Sequence, residues 1–130
     1  NFPNADVFVA DSSYLMPKKK WLLDKFYANF KEWLWSHNLD KWHESYDCDD
    51  YACVYMCFAQ ISHKATMLRK NREIEGIAVG EIWYHDEKAD GGHAINIALC
   101  DNKLITIEPQ TGKEKLLNGK ERKSAWYIRM

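Results

Sequence analysis

Apolar residues recur at Trp21, Leu22, Phe26, Phe30, Trp33 and Leu34, the spacing of one helix face. The pattern predicts an amphipathic helix from Lys18 to about His37. A polar stretch, Asn38 to Asp47, follows as a connection. An apolar run from Tyr51 to Ile61 comes next, preceded by Asp47-Cys48-Asp49-Asp50. Carboxylates there accept hydrogen bonds from the free N–H groups of a first turn and complement the helix dipole. They predict a second helix from near Cys48 to about His63 or a little further. The pattern then changes. Gly76 to Tyr84 is rich in Ile and Val and reads as a strand, as do His93 to Leu99, Lys103 to Glu108 and Ser124 to Met130. Asp86 to Gly92 reads as a loop and Thr111-Gly112-Lys113 as a turn. Residues 1–17 read as an irregular lead-in with a short strand at Val7–Ala10. Helices first and hairpin-linked strands afterwards predict an α+β fold, with a buried helix packed on an antiparallel sheet.

Cys100-Asp101-Asn102 is a hairpin signal. With Asp101-Asn102 as a two-residue turn, Cys100 faces Lys103, His93 faces Gln110 and Ile95 faces Glu108. Side chains alternate along a strand, so His93, Ile95, Leu104, Thr106, Glu108 and Gln110 share one face and Asn96 lies on the other. Glu108 then lies diagonally beside His93, within reach of a long side chain. Ile95, Ile97 and Leu99 need a cover. The helix beginning at Cys48 is the most apolar one available, and its leading end is expected over the His93 end of the sheet.

Length and charge narrow the function classes. A chain of 130 residues fits a single domain spanning 1–130. Its 18 basic and 19 acidic side chains leave a net charge of −1, which disfavours a general nucleic-acid partner. No stretch is apolar over the length of a membrane span, and Asn1 to Lys20 lacks the pattern of a secretion signal. Three of the four cysteines, Cys48, Cys53 and Cys57, fall within ten residues in one helix. A disulfide framework joins separate segments, so free thiols and a reducing, cytoplasmic compartment are expected. Cys53 and Cys57 share a helix face and are expected to pack in the core rather than bind zinc. Core packing is likewise expected for most of Trp21, Trp33, Trp35 and Trp42.

Candidate chemistry centres on Cys48. A thiol at a helix N-terminus is drawn toward the thiolate by the dipole. Asp47, Asp49 and Asp50 oppose this unless they are paired, point away or bind a cation. His93 follows Gly91-Gly92 at a strand start, and Glu108 beside it can fix the imidazole tautomer. The Cys48 backbone N–H can contribute to an oxyanion hole, and Gln110 is a side-chain candidate for the same role.

Three strings carry a resemblance: Asp47-Cys48-Asp49-Asp50, Gly92-His93-Ala94-Ile95-Asn96, and Glu108-Pro109-Gln110-Thr111-Gly112. In this order they resemble the C-terminal papain-like peptidase domain of the Marasmius-type fungal agglutinins. Asp47 to Ala52 is also similar to the signature of the bacterial transglutaminase-like cysteine peptidases. The resemblance covers about residues 47 to 112. It implies a papain-like fold and a thiol hydrolase, a cysteine peptidase acting on a protein or peptide. Cys48 would be the nucleophile, His93 the base and Glu108 the orienting acid, with a thioester intermediate. It further implies dependence on calcium, with Asp49 and Asp50 as ligands. Two departures stand out. The sugar-binding trefoil of the lectins is absent from these residues, and Trp42 occupies the position where papain-type enzymes place a glutamine. The alternatives are a transglutaminase-like acyltransferase or deamidase, a non-catalytic binding or inhibitor module on the same fold, and a calcium-stabilised structural domain.

Overall fold

The computed structural model describes residues 2–72 and 75–130. The chain opens with two short strands, β1 (Asp6–Phe8) and β2 (Tyr14–Leu15). The first amphipathic segment is not one uniform helix. It comprises α1 (Lys19–Trp21), a stretch of wider π-type turns (Leu22–Phe26) and α2 (Tyr27–Ser36). The second helix, α3 (Cys48–Arg69), is 22 residues long and extends well past His63. Then come β3 (Gly76–Ile77), β4 (Val79–Asp86), β5 (Gly91–Cys100), β6 (Lys103–Glu108), β7 (Lys113–Glu114), α4 (Gly119–Ser124) and β8 (Tyr127–Arg129). Among the described residues, no helix is long and apolar enough to cross a membrane.

Six strands form one sheet in the order β1-β8-β4-β5-β6-β7. It is antiparallel except at its edge, where β1 runs parallel to β8. A separate pair, β2 and β3, is also parallel. The expected register holds at the hairpin: Cys100 pairs with Lys103 and Asn96 with Ile107. Asp101 and Asn102 both take positive φ, 49° and 63°, as a tight turn matching the strand twist requires. The strand carrying His93 starts earlier than expected, at Gly91, and the loop before it shrinks to Glu87–Asp90.

The cover over the sheet differs from the expectation. The helix α3 lies on the Asn96 face, not on the His93 face. The Asn96 side-chain amide donates to the Ala52 carbonyl of α3 at 2.8 Å and to the Gly80 carbonyl at 2.9 Å. The reason is size. On this face β5 presents Ala94, Asn96, Ala98 and Cys100, small enough for the bulky Tyr51 and Tyr55 of α3 to pack above them. The main core forms here, from Leu22, Phe26, Phe30 and Leu34 with Tyr55, Ala59, Val79 and Ile107. The opposite face carries Ile82, Tyr84, Ile95 and Ile97. Leu117 and Ala125, which flank α4, cover it. That short helix was not expected, although its capping box, Asn118 with Glu121, is legible in sequence.

Candidate functional site

The acidic string opens α3 as a reciprocal cap. The Asp47 side chain accepts from the Asp49 N–H at 3.4 Å, and the Asp50 carboxylate accepts from the Asp47 N–H at 3.2 Å. Asp50 is thereby committed to the backbone. Asp49 instead groups with Asp47 and Cys48, with one ligand-type atom of each within 4.8 Å of the others. Of the two expected cation ligands, Asp49 belongs to this group and Asp50 lies outside it.

On β5, His93 Nε2 lies 2.8 Å from Glu108 Oε2. The two side chains meet across the hairpin, and both are about four-fifths buried, at 21% and 19% exposure. The Tyr84 ring stands edge-on to the imidazole at 5.8 Å between centroids. β6 ends at Glu108, and the chain turns at Gly112 (φ 68°), where a side chain would meet the Tyr27 ring at 2.3 Å. Tyr27 in turn donates its hydroxyl to the Gln110 carbonyl at 2.9 Å. This fixes the end of the strand that carries Glu108.

A cleft of about 240 Å³ lies over the leading end of α3. Its lining includes Asp47, Cys48, Asp49 and His93, with two residues the sequence argument passed over, Trp83 and Trp126. Trp83 pairs with Ala94 across β4 and β5, on the α3 side of the sheet. Recognising it in sequence would have required the β4–β5 register. His93 belongs to the other face, beside Tyr84. It therefore meets the cleft only where β5 runs on past the end of β6.

The thiol's own environment opposes ionisation. Burial, then the charges of Asp47 and Asp49, push the Cys48 thiol up, against hydrogen bonds from the Ala94 and Cys48 N–H groups. No hydrogen bond joins the Cys48 thiol to the His93 ring among the described residues. Asp49 is also held above the usual carboxylate range, chiefly by its side-chain hydrogen bond with Asp47 and then by burial. Gln110 is exposed in the turn after β6 and does not line the cleft. Trp42 is 59% exposed and also lies outside it. Cys57 is exposed, so the Cys53–Cys57 side of α3 is not the core face expected of it.

Similarity to known proteins fits this architecture. No curated protein matches the chain. The "PSL1a-E64 complex" has a TM-score of 0.67 at 19% identity, matching 98% of this chain and 43% of that one. The Polyporus squamosus lectin bound to the human-type influenza-binding epitope Neu5Aca2-6Galb1-4GlcNAc has a TM-score of 0.69 at 19% identity, matching 99% and 45%. The chain therefore spans less than half the length of these solved proteins. The α+β class and the likeness to fungal agglutinins hold. The labels of hydrolase and cysteine peptidase do not: a lectin structure and an agglutinin family stand where a peptidase family was expected. The model of the "Agglutinin C-terminal" family matches residues 14–114, well over half the sequence, and this chain belongs to that family.

Proposed function

We propose that this chain is a binding module, with the cleft over the leading end of α3 as its recognition site. The observation that carries this reading is the makeup of that cleft: two indole side chains, Trp83 and Trp126, beside the carboxylates of Asp47 and Asp49. Indole faces suit a flat apolar surface, and carboxylates accept from hydroxyl groups. A volume of about 240 Å³ is the scale of one pyranose ring. The ligand class is a neutral saccharide. An acidic sugar such as the sialyl group bound by the Polyporus squamosus lectin would face the charge of Asp47 and Asp49. The resting thiol supports a non-catalytic role, since burial and both carboxylates disfavour the thiolate.

The test is a tryptophan-fluorescence titration with neutral and sialylated oligosaccharides. Trp126→Ala, a change at a 44% exposed residue, is expected to weaken neutral-sugar binding about tenfold, the loss of one stacking partner. Cys48→Ala is expected to bind as the parent does. Equal binding by the parent and Trp126→Ala sinks the reading.

A second reading is favoured by Cys48 and His93 lining one cleft while Glu108 holds the imidazole. The Cys48 sulfur would then bond to an acyl carbon of a bound ligand as its C–N or C–O bond breaks, with His93 taking the thiol proton and passing it to the departing amine or alcohol and Glu108 orienting the ring. Selective alkylation of Cys48 by iodoacetamide, lost in His93→Ala, would favour it over the first. For a divalent cation such as calcium, the two cleft carboxylates are suitable hard donors but fall short of the six to eight oxygens calcium takes. Asp47 and Asp49 would be its protein ligands. A calcium-induced rise in melting temperature, lost in Asp49→Asn, is the corresponding measurement.

A further inference from the structure

Among the described residues, a groove larger than the Cys48 cleft stands apart from it. It lies between the Lys18–Asn29 segment and α3, has a volume of about 780 Å³, and shares no lining residue with the cleft. Volumes of this size are those of small-molecule sites. Its apolar lining includes Trp21, Phe26, Phe58 and Ile77. Met16 and Ile61 extend this apolar surface into solvent, at 41% and 68% exposure. A concave apolar trough with a few convergent polar groups is the form that small-molecule sites take.

Charge says what kind. Lys18, Lys25, Arg69 and Lys70 line the groove, and no Asp or Glu is among its described lining residues. The chain as a whole carries a net charge of −1, so three cations beside the Lys18–Asp101 pair are a local departure. Lys18 is tied to Asp101 at 2.9 Å. Arg69 donates only to the neutral hydroxyl of Thr66, at 3.4 Å, among the described contacts. Lys25, Arg69 and Lys70 are exposed, with no ion pair among the described residues. The backbone supplies an independent pointer. The π-type turns at Leu22–Phe26 place Lys25 and Phe26 in this wall, and such departures from α-helix occur frequently at functional sites.

We propose that this groove binds a single-chain amphipathic anion. The hydrocarbon chain lies against Trp21, Phe26 and Phe58, and the carboxylate or phosphate head meets Lys25, Arg69 and Lys70. An apolar trough alone would accept any hydrophobic chain; Lys25, Arg69 and Lys70, with no ion pair among the described residues, select the sign of the head group.

Isothermal titration of the whole chain tests this, with probes below their micelle concentrations. The probes are laurate, dodecyl phosphate, dodecyltrimethylammonium and acetate. Saturable one-to-one binding is expected for laurate and dodecyl phosphate, at least tenfold tighter than for dodecyltrimethylammonium, with none for acetate. The ratio of laurate to dodecyl phosphate identifies the preferred head. Lys25→Glu combined with Arg69→Glu is expected to weaken laurate at least tenfold. Ile61→Asp, at an exposed position that leaves the core intact, is expected to do the same by placing a charge on the apolar surface. Equal affinity for anionic and cationic amphiphiles overturns the proposal. So does unchanged laurate binding in Ile61→Asp, or saturation by an acidic amphipathic peptide with no binding of laurate.

Discussion

The two faces of the central sheet treat their polar groups in opposite ways. On the face under α4, the ionisable groups are paired. Asp86, 8% exposed at its side chain, is bonded to Lys115, and the Tyr84 hydroxyl also donates to it at 3.3 Å. His93 meets Glu108 on the same face. On the face under α3, burial raises Glu81 and Cys48, and Asp47 raises Asp49. Unpaired buried charge costs stability and is retained where it serves a ligand. The α4 face thus holds its ionisable groups in pairs, and the leading end of α3 holds those we propose for ligand binding. Three substitutions test that division.

Lys115→Met should have the largest effect. Its ammonium holds the Asp86 carboxyl well below the usual carboxylate range, with help from the Ala89 and Lys88 N–H groups. Removing it strands a buried carboxylate, at a cost of about 3 kcal/mol read as a lower urea midpoint. The pH dependence has a definite sign. A depressed folded-state pKa contributes stability above the unfolded pKa, near 4 for an aspartate, and loses it as pH falls through the folded value. The parent should lose stability below about pH 4 more steeply than Lys115→Met. Equal slopes would show that the pair is not what holds this face.

Asn96→Ala probes the junction of α3 with the sheet. It removes the two hydrogen bonds by which the buried Asn96 amide ties the Ala52 carbonyl of α3 to the Gly80 carbonyl of β4. A loss of about 2 kcal/mol is expected. Because those bonds seat the first turns of α3, sugar binding at the cleft should weaken along with stability. Weakened stability with unchanged binding would mean that the cleft does not depend on this seat.

Much of this arrangement was legible in the residues, and the losses have specific causes. Asp101-Asn102 declared its turn, and a two-residue turn leaves a hairpin one register, so the His93–Glu108 meeting followed from counting. Counting alone could not say which face a helix covers. Ile95 and Ile97 looked like the surface in need of α3, but the small side chains of Ala94 and Ala98 admit its tyrosines. The larger isoleucines are covered by Leu117 and Ala125 instead. Trp83, on β4, and Trp126, just ahead of β8, reveal their shared cleft only once β4, β5 and β8 are aligned. The π-type turns between Lys19 and Tyr27 leave the apolar spacing close enough to a helix to pass unseen.

Asp49→Asn should have the smallest effect on stability and the most direct bearing on the leading end of α3. Asp49 is partly exposed, so solvent screens its interactions and the change in stability should stay within about 0.5 kcal/mol. Its sign should be favourable at neutral pH. An acid whose folded pKa is raised opposes folding once it ionises, and the amide cannot ionise. Cys48 should respond more visibly. Burial is the main cause of its raised pKa and persists, but one of the two carboxylates that add to it is gone. The thiol should ionise more readily, and iodoacetamide should modify it faster than in the parent near neutral pH. The same substitution at Asp50 is a control, because that carboxylate is spent on the Asp47 N–H and stands outside the Cys48 cluster. Asp50→Asn should lower stability through the cap and leave the alkylation rate close to that of the parent. If the two variants behave alike, the carboxylates of the acidic string act on the thiol as an undivided charge, and the separation of a capping Asp50 from a cleft-facing Asp49 fails.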